Sequence, residues 1–223
     1  DSQVLRTKNR PLATGNVHIT TAFGLLFLML ILCLLIVFSL PPASIALCLT
    51  IAILALPLIL IYPSAKRWFA YPQAILSICW GFAVLIPWAA NEASITLNIP
   101  LVSCWGATMM WTFGFDTVYA MADSYDDQNL GLNSSALTLG NKTKKIVAIS
   151  YAITCLLIAM GGHYAGVSWV FWCFWIIVTF GMQREAFKLP KSNFSASNSG
   201  RHFKNQVLIG GLMLLGLILG RAI

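Results

Sequence analysis

Charged side chains are scarce in this sequence of 223 residues. Only 9% of the residues are Asp, Glu, Lys or Arg, whereas 58% are hydrophobic. Soluble globular domains carry about a quarter of their residues as charged side chains. The composition therefore excludes an ordinary soluble protein and indicates a membrane protein that crosses the bilayer several times.

The sequence also lacks the residue pairs from which zinc sites and disulfide frameworks are built. Its 6 cysteines stand singly within apolar segments, without a CxxC pair, and its 3 histidines form no HxxxH pair. The cysteines are therefore interpreted as small core residues. The net charge of +7 comes from basic residues dispersed among the loops, so we expect no nucleic-acid partner.

Long apolar segments are abundant, and a helix needs about 20 mostly apolar residues to cross a bilayer. The predicted spans are 17–39, 43–62, 71–90, 100–121, 146–166, 168–184 and 205–220. Pro72 and Pro100 fall where helices are expected to begin, and proline is tolerated in a first turn. The sequence therefore predicts an all-α fold, a polytopic transmembrane bundle of seven spans in one membrane-embedded domain over residues 1–223.

Basic residues fall on alternate connections between the predicted spans. They precede span one and lie between spans two and three, four and five, and six and seven, and of the 14 Lys and Arg residues only Arg221 falls elsewhere. Cytoplasmic loops of membrane proteins are enriched in Lys and Arg. These connections, including a polar loop at 185–204, are therefore predicted to be cytoplasmic.

Acidic residues concentrate at the end of the fourth span, in the segment MADSYDDQNL. Asp116, Asp123 and Asp127 are spaced so that a helix places them on one face. A carboxylate within the hydrocarbon region costs about 2.5–3.5 kcal/mol, and ionised neighbours repel one another. A cation between them relieves both costs, and DxxxD spacing suits Mg²⁺ that also takes water and phosphate ligands. The alternative is a solvated cluster where the helix enters the cytoplasm.

Basic residues are predicted at the same membrane face. The segment YPSAKR ends in Lys66 and Arg67, just after the second span, and RTKNRPLATG carries Arg6 and Arg10 before the first. A diphosphate substrate requires acids that hold a metal and cations that stabilise the leaving group. The alternative is that these residues are ordinary positive-inside anchors.

Two of these segments resemble motifs of the UbiA superfamily of membrane prenyltransferases, most closely its 4-hydroxybenzoate polyprenyltransferase branch. The YxxxKR motif of that family matches Tyr62, Lys66 and Arg67, and its DxxxD motif matches Asp123 and Asp127. The likeness extends over nearly the whole chain. It implies a UbiA-type helical bundle and a prenyltransferase activity.

The opening segment DSQVLRTKNRPLATG resembles the basic, proline-containing stretch that follows the family's first acidic motif, NDxxDxxxD. Asp1 stands in the place of the last Asp of that motif, whereas its Asn and earlier acids are absent. The resemblance therefore implies an N-terminally incomplete chain that lacks two helices of a nine-helix fold. We expect such a chain to be inactive by itself.

The resemblance further implies Mg²⁺-dependent transfer of a polyprenyl group from polyprenyl diphosphate to an aromatic acid, 4-hydroxybenzoate, in ubiquinone- or plastoquinone-type biosynthesis. The implied metal ligands are Asp1, Asp123 and Asp127. The implied diphosphate-binding residues are Arg6, Arg10, Tyr62, Lys66, Arg67 and Asp127. The implied catalytic residues are Lys66 and Arg67, which help diphosphate to leave, and Asp116 and Asp123, either of which polarises the phenol or accepts its proton.

The resemblance places the protein in a bacterial inner membrane, with cyanobacteria among the candidate sources, and its site at the cytoplasmic face. Chlorophyll, haem O, menaquinone and tocopherol-type enzymes share the acidic motifs and are alternatives within the family. A transporter and a non-catalytic membrane subunit are alternatives from other classes. A transporter predicts acids near the bilayer midplane and repeated halves, whereas these acids gather at one face and no repeat is evident.

Overall fold

The computed structural model describes residues 7–190 and 196–222, and within these ranges the chain is helical and has no β-strand. The long helices are α1 (Ile19–Phe38), α2 (Pro42–Ala65), α3 (Pro72–Glu92), α4 (Ile99–Asn129), α6 (Thr143–Tyr164), α7 (Trp169–Phe187) and α8 (Ala196–Ala222). A short helix α5 (Ser135–Leu139) and a 3-10 turn (Gly140–Lys142) connect α4 to α6. The predicted all-α bundle is confirmed.

By length and composition, 5 helical segments within the described ranges could cross a membrane: α1, α2, α3, Ser135–Tyr164 and Ser197–Arg221. Helices α4 and α7 were also predicted as spans, but Trp, Thr and Gly residues lower the mean hydropathy of α4, and Gln183, Arg184 and Glu185 lower that of α7. A multi-pass membrane protein is therefore established, while the count of seven spans stays a prediction.

Prolines and a capping amide set the beginnings of several helices. Pro42 and Pro72 begin α2 and α3, where the missing N–H leaves no helical hydrogen bond unmade. The side chain of Asn98 accepts a hydrogen bond of 2.9 Å from the backbone N–H of Leu101 and so caps α4. These starts agree with the first-turn positions expected for Pro72 and Pro100.

Helix α4 packs against α3 on one side and α6 on the other, and α8 touches it as well. A β-carbon at Gly114 of α4 would lie only 2.7 Å from the ring of Tyr151 on α6, so glycine permits the close approach of the two helices. The ring of Tyr151 is fully buried in the main core between α4, α6, α7 and α8. This packing fixes α4 along its length.

The polar segment predicted as a loop at 185–204 is shorter in the structure. Helix α7 continues to Phe187 and α8 begins at Ala196, so much of the segment is helical. The polar residues that suggested a loop include Ser199 and His202, which are both buried, as is Gln206 at the start of the predicted span that follows. Their spacing of three and four residues places them on one face of α8, which turns toward the bundle.

Candidate active site

Helix α4 carries the acidic segment as helix, well past the predicted end of its span at residue 121. Asp123 and Asp127 are only 6% and 0% exposed, whereas Tyr125, between them in sequence, is 77% exposed. The four-residue spacing therefore turns both carboxylates toward the protein interior. Burial of two acids argues against a cluster that is simply solvated at a helix end.

Asp127 is bound by Lys66, which follows the last residue of α2. The Lys66 Nζ atom donates to both carboxylate oxygens of Asp127, at 2.9 and 2.8 Å. Burial raises the pKa of the Asp127 carboxyl, and the hydrogen bonds and charge of Lys66 act in the opposite direction. The Lys66 side chain is still 32% exposed, so its ammonium lies at the boundary between the buried acid and the surface.

The backbone that follows α4 holds this ion pair in place. The N–H of Asn133 donates to the carbonyl of Lys66 at 2.7 Å, and the N–H of Leu132 donates to the carbonyl of Asp127 at 2.8 Å. Both members of the pair are thus tied, through adjacent residues of one loop, at their main chains. The YxxxKR and DxxxD segments, which lie about 60 residues apart in sequence, meet at one end of the bundle.

Three buried polar side chains, those of Gln73, Ser135 and Thr117, stabilise the same loop. The Gln73 side-chain oxygen on α3 accepts a hydrogen bond of 2.8 Å from the N–H of Ser135. The hydroxyl groups of Ser135 and Thr117 on α4 lie 2.7 Å apart and share a hydrogen bond. Because Thr117 follows Asp116 in sequence, this network also fixes α4 beside the third acid.

Asp116 lies on the inner part of α4 and has a neutral partner. The side chain of Tyr62, one turn before Lys66 on α2, lies close to its carboxylate. Asp116 also lines a cavity of about 430 Å³ between α3, α4 and α8. The cavity is walled mainly by aromatic and aliphatic side chains, among which are Trp80, Trp111 and Phe115.

The structure brings several of the predicted site residues together. It pairs Tyr62 with Asp116 and Lys66 with Asp127, with Asp123 buried between the two acids along α4. The other two described candidates, Arg67 after Lys66 and Arg10 in the turns before α1, are exposed. Asp1 and Arg6 lie outside the described residues.

Several residues that shape the site were not predicted from the sequence. Gln73 and Gln206 are the clearest examples, since both stand inside predicted spans and both are buried. A polar amide within an otherwise apolar span is itself a signal of function or of a buried contact. Asn133 and Ser135 gave no such signal, because a polar loop is expected to contain them.

The donor set was compared with what a divalent metal requires. Among the described residues, no group of three or more His, Cys, Asp and Glu side chains could hold a metal ion. Mg²⁺, however, is commonly held by one or two carboxylates together with water and substrate phosphates. The hard oxygen donors of Asp123 and Asp127 fit that arrangement and do not fit a closed protein cage.

Similarity to known proteins extends over nearly the whole chain. Residues 1–219 match the model of the UbiA prenyltransferase family. The chain is 39% identical over 99% of its length to a 4-hydroxybenzoate solanesyltransferase of Synechocystis sp., of which it covers 73%. It is 37% identical over 77% of its length to a 4-hydroxybenzoate octaprenyltransferase of Neisseria gonorrhoeae, of which it covers 56%.

A solved structure shares the fold. The apo structure of a UbiA homolog from Aeropyrum pernix K1 has a TM-score of 0.76 and 22% sequence identity, and the match covers 96% of this chain and 78% of that one. The resemblance read from the motifs is confirmed, and neither a transporter nor a non-catalytic subunit is supported. The chain belongs to the UbiA prenyltransferase family.

Proposed function

We propose that this prenyltransferase moves a polyprenyl group from polyprenyl diphosphate to 4-hydroxybenzoate, with Mg²⁺ as its metal. The observation that carries the proposal is the buried pair of carboxylates, Asp123 and Asp127, with Lys66 beside them, at the end of a helix that also lines an aromatic-walled cavity. The similarity to two enzymes named for 4-hydroxybenzoate supports the choice of acceptor.

The acidic end of α4 is suited to the diphosphate. UbiA prenyltransferases generally use a divalent metal, and here Asp123 and Asp127, with Asp1 by resemblance, would hold Mg²⁺. Such an ion neutralises the charge of the diphosphate and so makes it a better leaving group. Lys66 can exchange the carboxylate of Asp127 for a phosphate oxygen, because both are anionic acceptors. By resemblance, Arg67, Arg6 and Arg10 would add positive charge for the diphosphate.

The proposed reaction breaks one bond of the prenyl diphosphate and forms one bond to the ring. The bond between the allylic carbon and the diphosphate oxygen breaks, and its electron pair leaves with the diphosphate. The ring carbon ortho to the phenol oxygen forms the new bond to the allylic carbon and afterwards loses its proton, for which Asp116 or Asp123 is the proposed acceptor. Asp116, held by Tyr62 at the mouth of the cavity, can accept a hydrogen bond from the phenol and raise the electron density of the ring.

The location of the site follows from the distribution of charge. Most of the basic residues fall between predicted spans two and three, four and five, and six and seven. These connections would face the cytoplasm of a bacterial cell, with the bundle in its inner membrane. The metal and the diphosphate then arrive from water while the prenyl tail stays in lipid. A role in ubiquinone- or plastoquinone-type biosynthesis is the consequence of this choice of acceptor.

A membrane assay tests the proposal. Membranes that contain the full-length protein should convert labelled 4-hydroxybenzoate to a lipid-soluble product when a long-chain polyprenyl diphosphate and Mg²⁺ are supplied. A chelator should abolish the product, and addition of Mg²⁺ should restore it. Product formed from homogentisate or dihydroxynaphthoate but not from 4-hydroxybenzoate would instead assign the protein to another branch of the family.

A further inference from the structure

The cavity beside Asp116 contains one buried amide that the proposed reaction does not yet use. Gln206 on α8 is only 4% exposed and lines the cavity. Its side-chain oxygen accepts a hydrogen bond of 2.8 Å from Nε1 of Trp111 on α4. Its side-chain nitrogen is buried and has no hydrogen-bond partner within the described part of the chain.

The orientation of this amide is fixed by chemistry. The indole Nε1–H of Trp111 can only donate, so the atom that receives it must be the oxygen of Gln206. The NH₂ group therefore occupies the remaining position. A buried donor without a partner costs about 1–3 kcal/mol, so a group that accepts from it is expected in the working enzyme.

The two proposed substrates differ in whether they can provide such an acceptor. A prenyl tail is a hydrocarbon and has no oxygen or nitrogen to receive an N–H. The aromatic acid has oxygens at both ends of its ring. The donor on Gln206 therefore distinguishes between the two occupants and favours the ring in this cavity.

The charge of Asp116 sets the direction in which the ring enters. Asp116 is the acidic residue among the cavity-lining side chains, and it repels a carboxylate but can accept a hydrogen bond from a phenol. The carboxyl end of the substrate is therefore directed away from Asp116. On α4, Trp111 and Asp116 are separated by five residues, or about 7.5 Å of helix rise, which is comparable to the span of a para-substituted benzoic acid.

We propose that Gln206 binds the carboxyl group of the aromatic acceptor, with Trp111 holding the amide so that its NH₂ group faces the cavity. The phenol then lies at the Asp116 and Tyr62 end, next to the acidic segment where the diphosphate is proposed to bind. Gln206 is thus a specificity-determining residue for the acceptor and takes no part in the departure of diphosphate. This assignment rests on the proposed function.

The test measures KM separately for the aromatic acid and for the prenyl diphosphate. Gln206→Met retains the length of the side chain but removes the donor. In the full-length enzyme it should raise KM for 4-hydroxybenzoate at least tenfold and change KM for the prenyl diphosphate by less than twofold. Gln183→Met is the matched control, because Gln183 donates to the carbonyl of Ala148 on α6, away from this cavity; it should leave both KM values unchanged.

A second variant covers the case in which Gln206→Met does not fold. Gln206→Asn retains the amide but withdraws it by one methylene, so the same split between the two KM values is expected. An unchanged KM for 4-hydroxybenzoate, or a larger rise in KM for the prenyl diphosphate, would overturn the role of Gln206. A wild-type enzyme that fails to use 4-hydroxybenzoate would overturn the proposed function itself, and this assignment with it.

Discussion

At the two ends of the site on α4, the buried polar groups have different kinds of partner. At the outer end, the buried carboxylate of Asp127 is matched by a full positive charge on Lys66. At the inner end, Asp116 lies close to the neutral phenol of Tyr62, and Gln206 accepts a hydrogen bond from the neutral indole of Trp111. One end is organised by ionic contacts and the other by dipoles in an aromatic cavity.

This difference corresponds to the two substrates of the proposed reaction. A diphosphate brings several negative charges, so the end that receives it needs cations and metal ligands that can exchange partners. An aromatic ring brings at most one charge, and an apolar wall with a few directed hydrogen bonds orients it at lower desolvation cost. The comparison predicts that changes at the outer end affect turnover through the diphosphate, and changes at the inner end through the ring.

The largest effect is expected at the outer end. Asp123→Asn or Asp127→Asn retains the shape of the side chain but removes the charge, and each should lower turnover about a hundredfold or more in the full-length enzyme. Asp126→Asn is the matched control and should cost much less, since Asp126 is only partly buried. The prenyl transfer assay at saturating Mg²⁺ measures these rates, and equal rates for wild type and both Asn variants would exclude the metal-binding role.

A smaller effect is expected on stability at the same end. Lys66→Met leaves the buried carboxylate of Asp127 without its cation, and loss of one partner of a buried pair costs about 3–5 kcal/mol. Because the Lys66 side chain is 32% exposed, we expect about 1–3 kcal/mol here. Thermal unfolding in detergent measures the loss, and the double variant Lys66→Met with Asp127→Asn should lose less than the sum of the two single variants. Strictly additive losses would show that the pair contributes no coupling energy.

The smallest effect is expected at the inner end. Tyr62→Phe removes the hydroxyl that lies close to the Asp116 carboxylate. A hydrogen bond from it to a charged acceptor would be worth about 1.5 kcal/mol, so turnover should fall about tenfold. Tyr125→Phe is the control, because Tyr125 is 77% exposed and should give the wild-type rate. In a variant that already carries Asp116→Asn, Tyr62→Phe should lower turnover little further. If Tyr62→Phe lowered turnover as much as Asp123→Asn is expected to, the distinction between the two ends would be contradicted.

Much of the architecture was accessible from the sequence because lipid imposes simple requirements. Apolar segments predicted the long helices, and the acidic and basic segments predicted where the site would lie. The pairing of Lys66 with Asp127 could not be deduced, since helical periodicity relates residues only within one helix. It depends on the loop that joins the main chains of Asn133 and Lys66.

The errors had a common physical origin. Polar composition at 196–204 predicted a loop, but Ser199 and His202 are buried on the inner face of α8. Gln206 was not predicted for the converse reason: the residues around it are apolar, so the segment was interpreted only as a membrane span. In both cases the outcome depends on which face of the helix packs against the bundle. The polarity of single residues does not show which face this is.

The close contact at Gly114 has a consequence for motion in the bundle. With the ring of Tyr151 seated against that glycine and its hydroxyl held 2.8 Å from Nε2 of His202, α4 has no free volume through which to slide on α6. We therefore expect α4 and α6 to move together, and the hydrogen bonds from Tyr151 to His202 and from Trp111 to Gln206 join α8 to them. Any widening of the cavity to admit a ring and a long tail is then expected from displacement of α3. The outer acids, carried on α4, would keep their position while that wall moves.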